Sequence, residues 1–143
     1  MHLYFCYFLL FSFFIACQGE LKEKPNTEKK PLTHQQTAQL KQGKDLFWRY
    51  CLSCHNDDMK TRATAPPLGG VAERRDKKWL YEFTRNSEQF IAKKDSVAIA
   101  LLQNYKSLMP NFEFLTDEEL NCIYLFVEQA ALENKILLRP VER

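Results

Sequence analysis

The sharpest change of pattern along the chain comes at its start. From Leu3 to Ala16 the run LYFCYFLLFSFFIA is almost wholly apolar and uncharged. From Gln18 to Leu32 the chain turns polar and mixed in charge, with two prolines and no apolar periodicity. The apolar run falls short of the about 20 residues that span a bilayer and has the length of a signal-peptide core. The polar stretch reads as a flexible tether, and about 20 such residues have a root-mean-square span of roughly 25 Å.

Helical periodicity begins near Thr33. Thr33-His34-Gln35-Gln36 fits the S/T-x-x-E/Q capping box. Leu40, Phe47, Tyr50 and Cys54, with Leu46 beside them, predict a helix from there to about Cys54. Gly43 lies in its interior, where it costs about 1 kcal/mol against Ala. Such a glycine suggests close approach by another element, a tolerated surface glycine being the alternative. Asp76 to Asn86 reads as a second helix with Asp76 as N-cap and Trp79, Leu80 and Phe83 on one side. Asp95-Ser96 caps a third through Tyr105, carrying Val97, Leu101 and Tyr105. Thr116 to Glu119 is a second capping box, before a stripe of Leu120, Ile123, Tyr124, Val127 and Ala131. No run alternates like a strand, so the expected class is all-α.

Composition narrows this picture. The 143 residues suffice for one ordinary domain plus a short extra segment, and 45% hydrophobic with 27% charged residues is a foldable balance. A net charge of +2 disfavours nucleic acid as a partner. Five cysteines are too few for a disulfide scaffold. Phe14-Ile15-Ala16-Cys17 resembles the end of a bacterial lipoprotein signal, which implies that Cys17 is lipidated and becomes the mature N-terminus. Phe14 and Ile15 depart from the usual residues, and an ordinary cleaved signal and an uncleaved anchor remain as alternatives. The expected organisation is a signal over 1–16, the anchor cysteine and tether over 17–38, a folded domain over 39–131 and a tail over 132–143.

The chemistry sits where the first helix is expected to end. Cys51-Leu52-Ser53-Cys54-His55 is C-x-x-C-H, the attachment signature of c-type haem. Two thiols one helical turn apart can each bond a vinyl group, and the adjacent histidine can reach the iron. A thioredoxin-like reading wants a βαβ context, and a zinc site wants a second ligand pair, for which only Cys122, His34 and scattered carboxylates are available. Reach selects the sixth ligand. Met59 lies four residues past His55, and the five residues span at most about 17 Å, too little to round the ring. His34 is roughly 30 Å away along the helix. Met1 would leave with the signal. Met109, in an expected loop before Pro110, remains.

These residues together resemble a class I, mono-haem cytochrome c over about Leu40 to Ala131. Gly43, Phe47, Cys51, Cys54 and His55 fall at the family's spacing, and Met109-Pro110-Asn111-Phe112 matches its Met-ligand loop. The resemblance implies helices wrapped around one covalent haem c with its iron. It implies that Gly43 lets the first and last helices cross closely, with Phe126 or Tyr124 as the aromatic at the crossing. It further implies that a proline carbonyl accepts the His55 Nδ1–H bond, from Pro66 or alternatively Pro67, and that Leu68 packs on the haem. The family's soluble members lack a counterpart of Cys17 and the tether.

Iron held by His55 and Met109 has no open position and suits one-electron transfer rather than catalysis. The expected function is a carrier, not an enzyme, tethered to a membrane and facing the periplasm. Its partners would be redox proteins of the respiratory chain or an envelope oxidoreductase. A peroxidase-like enzyme, or a redox or gas sensor with a labile Met109, is the alternative. Arg74-Arg75-Lys77-Lys78 and Lys93-Lys94 read either as solvated surface or as steering charges for an acidic partner. Asp57-Asp58 reads as a solvated turn, Trp79 as core with a hydrogen-bonded indole, and Cys122 as a surface or boundary residue on the last helix.

Overall fold

The computed structural model describes residues 32–137, and side chains through 134. The predicted signal, Cys17 and most of the tether lie outside the described residues. Within them the chain forms six α-helices and no strand: α1 (His34–Tyr50), α2 (Val71–Arg74), α3 (Lys77–Arg85), α4 (Ser87–Ala92), α5 (Ser96–Tyr105) and α6 (Asp117–Leu137). None of these is long and apolar enough to cross a membrane.

Each long helix starts where its cap chemistry places it. At α1 the Gln36 amide donates to Thr33 Oγ1 at 3.2 Å, and the Thr33 amide donates to Gln36 Oε1 at 3.0 Å. The same reciprocal pair joins Thr116 and Glu119 ahead of α6, whose first turn carries Asp117, Glu118 and Glu119. Asp76 caps α3 through the Trp79 amide at 2.9 Å, and Asp95 caps α5 through the Val97 and Ala98 amides at 3.0 and 2.9 Å.

Three features depart from the sequence reading. The first helix ends at Tyr50, not near Cys54. The amides of Cys51 and Leu52 both donate to the Phe47 carbonyl, at 2.8 and 3.0 Å, and those of Cys54 and His55 both donate to the Cys51 carbonyl. Two amides sharing one acceptor break the helical ladder, so C-x-x-C-H occupies a tight turn. Next, α2 and α4 are helices of four and six residues, too short to show a period in sequence. Asn86 closes α3 and opens α4: its amide donates to the Glu82 carbonyl and its Oδ1 accepts from the Gln89 amide. Last, α6 continues to Leu137, so the predicted tail begins as helix, and residues 138–143 lie outside the described residues.

The core forms where α1 crosses α6. Phe47 and Leu120 are fully buried there, with Ile123 and Val127 beside them. The crossing is set by Gly43: a Cβ built on it would lie 1.9 Å from the Cys122 carbonyl oxygen and 2.5 Å from its carbon. One turn on, the Phe47 and Phe126 rings meet at 5.4 Å, so Phe126 is the aromatic of the crossing. Tyr124 instead turns toward α3. Cys122 is 3% exposed, buried under the crossing rather than at the surface, because the helices approach so closely on its side of α6. Its thiol lies 3.6 Å from Gln42 Oε1, and burial pushes its pKa up.

Gly43→Ala tests the crossing. Helix propensity favours Ala by about 1 kcal/mol, but a Cβ against a backbone carbonyl cannot escape by changing rotamer. Overpacking of this kind costs about 1–3 kcal/mol. A Cβ 1.9 Å from a backbone oxygen puts the cost at the upper end of that range, so the expected net result is a loss of about 2 kcal/mol, seen as a Tm lower by about 8–16 °C in thermal unfolding. An unchanged Tm would show that the helices separate without cost.

Candidate functional site

The turn after α1 places three reactive side chains at one wall of an apolar cleft. Cys51 is buried and Cys54 half-buried, both as free thiols, and both line the cleft with His55. Burial, with Cys54 adding to it, pushes the Cys51 thiol up to about 12, so it is neutral. His55 is 7% exposed, and its Nδ1 donates to the Pro66 carbonyl at 2.8 Å. That bond fixes the tautomer and leaves the Nε2 lone pair free. Burial lowers the His55 pKa, the Pro66 carbonyl partly opposing it, which favours a neutral ring.

The loop from Asn56 to Pro67 brings that carbonyl into place. The Asp58 carboxylate accepts the Thr61 hydroxyl and the Thr61 and Lys60 amides, both amides at 2.7 Å, and these bonds, the hydroxyl's first, hold its pKa below the usual range. Asp57-Asp58 is therefore a turn, as its sequence suggests. The Ala65 amide returns to the Cys54 carbonyl at 2.9 Å, just before Pro66. Pro66, not Pro67, carries the accepting oxygen. Leu68 follows, half-buried in the cleft wall.

The cleft encloses about 200 Å³ and is walled by side chains such as Leu80 and Phe83 of α3, Leu101 of α5 and Val127 of α6. Met109 lines it too, from the segment between α5 and α6. Met59 is 1% exposed in the core beside Phe47 and is not among the lining residues, and His34 is exposed at the start of α1. Among the described residues no three His, Cys, Asp or Glu side chains group to hold a metal ion, so the zinc alternative has no ligand set there.

Several groups in the cleft wall or just behind it escaped the sequence reading. Thr84 Oγ1 and Tyr124 OH are 2.7 Å apart, and Thr84 also donates to the Leu80 carbonyl at 2.8 Å. Desolvation pushes the Tyr124 phenol up to about 12, so this polar pair is uncharged within the apolar wall. Ser87 donates from Oγ to the Met109 carbonyl. Arg74 and Arg75 also border the cleft, Arg74 donating to the Gly69 carbonyl at 2.7 Å and Arg75 lying 5.6 Å from the Trp79 ring centroid. Hydroxyl residues inside helical stretches carry no sequence signal of their own, and Arg74-Arg75 reads as solvated surface or steering charge because α2 is invisible in the pattern. Trp79 behaves as expected: it stacks on Phe83 at 4.6 Å, and its indole donates to Asp95 Oδ2 at 3.3 Å.

The cytochrome c family model matches residues 40–131. The chain belongs to the cytochrome c family. It is similar to a cytochrome c from Rhodothermus marinus, at 27% identity over 73% of this chain and 88% of that one, with a TM-score of 0.60. It is also similar to the cytochrome c domain of a Pseudomonas putida protein, at 32% identity over 69% of this chain and 98% of that one, with a TM-score of 0.52. An engineered form of the Rhodothermus protein, solved bound to a carbene intermediate, matches at 28% identity over 73% of this chain and 88% of that one, with a TM-score of 0.56. No match was found among curated proteins. The family's cofactor is covalent haem c with its iron, and its members carry electrons. The donor set fits: two free thiols, a neutral imidazole with Nε2 unpaired and an apolar cleft are what such a group requires.

Asp95 offers an acid-side test of the Trp79 wall. Its carboxyl is held below the usual range, chiefly by the Ala98 amide, with the indole and the Val97 amide adding to it. Stability from a depressed carboxylate is complete above its ordinary pKa and is lost as pH falls through the folded value. Asp95→Ala removes the cap and should cost about 1 kcal/mol at neutral pH. In urea titrations the gap between wild type and variant should hold above about pH 5 and shrink toward pH 3. A gap independent of pH would reject the assignment.

Proposed function

We propose that this protein is a one-electron carrier whose haem iron is held by His55 and Met109, tethered to a membrane through Cys17. The observation that carries the reading is that Met109 lines the same apolar cleft as Cys51, Cys54 and His55. The bound haem supplies the one-electron redox change. Cys51 and Cys54 form the covalent attachment, and His55 offers Nε2 in an orientation that Pro66 sets. Met109 offers a neutral thioether from the segment opposite in sequence. Neutral ligands within apolar walls favour the reduced state and raise the potential relative to a pair of histidines. With His55 and Met109 both holding the iron, a substrate would have no point of entry, which favours a carrier over a peroxidase-like enzyme or a gas sensor.

Partners would be redox proteins of the respiratory chain or an envelope oxidoreductase, meeting the protein in small transient interfaces. Lys93 and Lys94 are exposed at the α4–α5 turn and suit an acidic partner. Cys17, with the polar stretch behind it, would hold the domain near a bilayer on the periplasmic side without fixing its orientation.

Met109→Ala tests the ligand set. Oxidised wild type should show the weak near-infrared sulfur-to-iron charge-transfer band, and the variant should lose it and bind carbon monoxide when reduced. Haem should stay on the chain in denaturing electrophoresis of both proteins, because Cys51 and Cys54 are untouched. A variant with unchanged spectrum and potential would remove Met109 from the site.

Cys17→Ser tests the anchor. Each acyl chain contributes about 0.8 kcal/mol per buried CH₂, and stable anchoring takes more than one chain. Wild type should partition with membranes, and the variant should become soluble or remain unprocessed. Soluble wild type with a mature N-terminus beyond Cys17 would reject the lipoprotein reading.

A further inference from the structure

Four consecutive residues at the corner between α3 and α4 each hold the segment that carries Met109. The Thr84 carbonyl accepts the Phe112 amide at 3.2 Å. Arg85 Nε donates to the Leu115 carbonyl at 2.9 Å, and its guanidinium also meets the Asp117 carboxylate. Asn86 Nδ2 donates to Glu113 Oε1 at 2.9 Å. Ser87 Oγ donates to the Met109 carbonyl at 2.5 Å. The contacts of the first three residues land beyond Met109, between 112 and 117. Only that of Ser87 lands on Met109 itself.

Ser87 is 0% exposed, so its hydroxyl has no water to turn to when that bond opens. Met109, by contrast, sits between two exposed neighbours, Leu108 and Pro110. The stretch from Ser107 to Pro110 lines the cleft, and of the bonds from the α3–α4 corner only that of Ser87 reaches it. A residue so placed can withdraw by a local opening that leaves the rest of the segment bound to α3 and α4. The Ser87 bond opposes that motion.

We propose that Ser87 is a positioning residue whose hydroxyl, by holding the Met109 carbonyl, sets how rarely Met109 leaves the cleft and so how slowly a small foreign ligand enters. The inference rests on Met109 being the ligand, as read above. One buried hydroxyl-to-carbonyl bond corresponds to about five- to tenfold in the population of the open form.

The experiment uses oxidised holoprotein with cyanide as the probe, well below the Tm of every variant. Ser87→Ala removes the hydroxyl, and Ser87→Gly does so again with a smaller side chain. Ser87→Thr keeps it. Thr33→Ala, which removes the N-cap of α1 outside the cleft lining and costs about 1 kcal/mol, controls for general loss of stability. Both hydroxyl-free variants should keep the near-infrared sulfur band and bind cyanide about five- to tenfold faster than wild type. Ser87→Thr and Thr33→Ala should stay near the wild-type rate. The proposal falls if Ser87→Ala and Ser87→Gly bind cyanide at the wild-type rate, or if Thr33→Ala is accelerated as much as they are. It falls as well if Ser87→Thr is as fast as Ser87→Ala. Absence of the sulfur band in wild type would instead show that the ligand reading itself has failed.

Discussion

With no side chain at Gly43, the backbone of α6 comes against the backbone of α1 at Cys122, closer than any other residue would permit. That contact sets the distance between two things the site needs. One is the end of α1, where Phe47 turns the chain and presents Cys51, Cys54 and His55. The other is the inner side of α6, where Ile123, Tyr124 and Val127 form part of the cleft wall. If the helices moved apart, the attachment turn would shift against the wall it faces. The Phe47–Phe126 contact and the burial of Leu120 follow from the same approach.

Inside the cleft the donors of His55, Thr84 and Tyr124 are each answered. The His55 ring gives its one proton to Pro66, and the Thr84 and Tyr124 hydroxyls satisfy each other and the Leu80 carbonyl. Burial keeps Cys51, His55 and Tyr124 neutral, as their pKa directions show. With charge confined to Arg74 and Arg75 at the border, these neutral groups have little to rearrange when one unit of charge arrives or leaves. The same low polarity makes an unanswered donor costly, so these hydrogen bonds also fix rotamers.

The parts of this structure that sequence displays are those that repeat or that carry rare residues. The long helices show their period and their caps, and C-x-x-C-H stands out because cysteine and histidine are scarce in the chain. The end of α1 was misplaced because Cys54 continues the apolar spacing, while the carbonyl sharing at Phe47 and Cys51 is a backbone event without a residue signature. The short α2 and α4 offer too few residues for a period, and with them went the roles of Arg74, Arg75 and Ser87. The burial of Cys122 depends on a glycine 79 positions earlier, which a local reading of α6 cannot weigh.

The Gln42 and Cys122 side chains meet across a separation of 80 residues. Closing a flexible loop of that length costs about 4 kcal/mol in chain entropy by the logarithmic scaling of loop closure. Phe47 cannot be covered until the chain has been synthesised past Val127. Through most of synthesis the attachment cysteines therefore belong to a segment without its partner helix, open to whatever must reach them. The order of the chain, with its two crossing helices at opposite ends, makes covering the core the last event in the making of the domain.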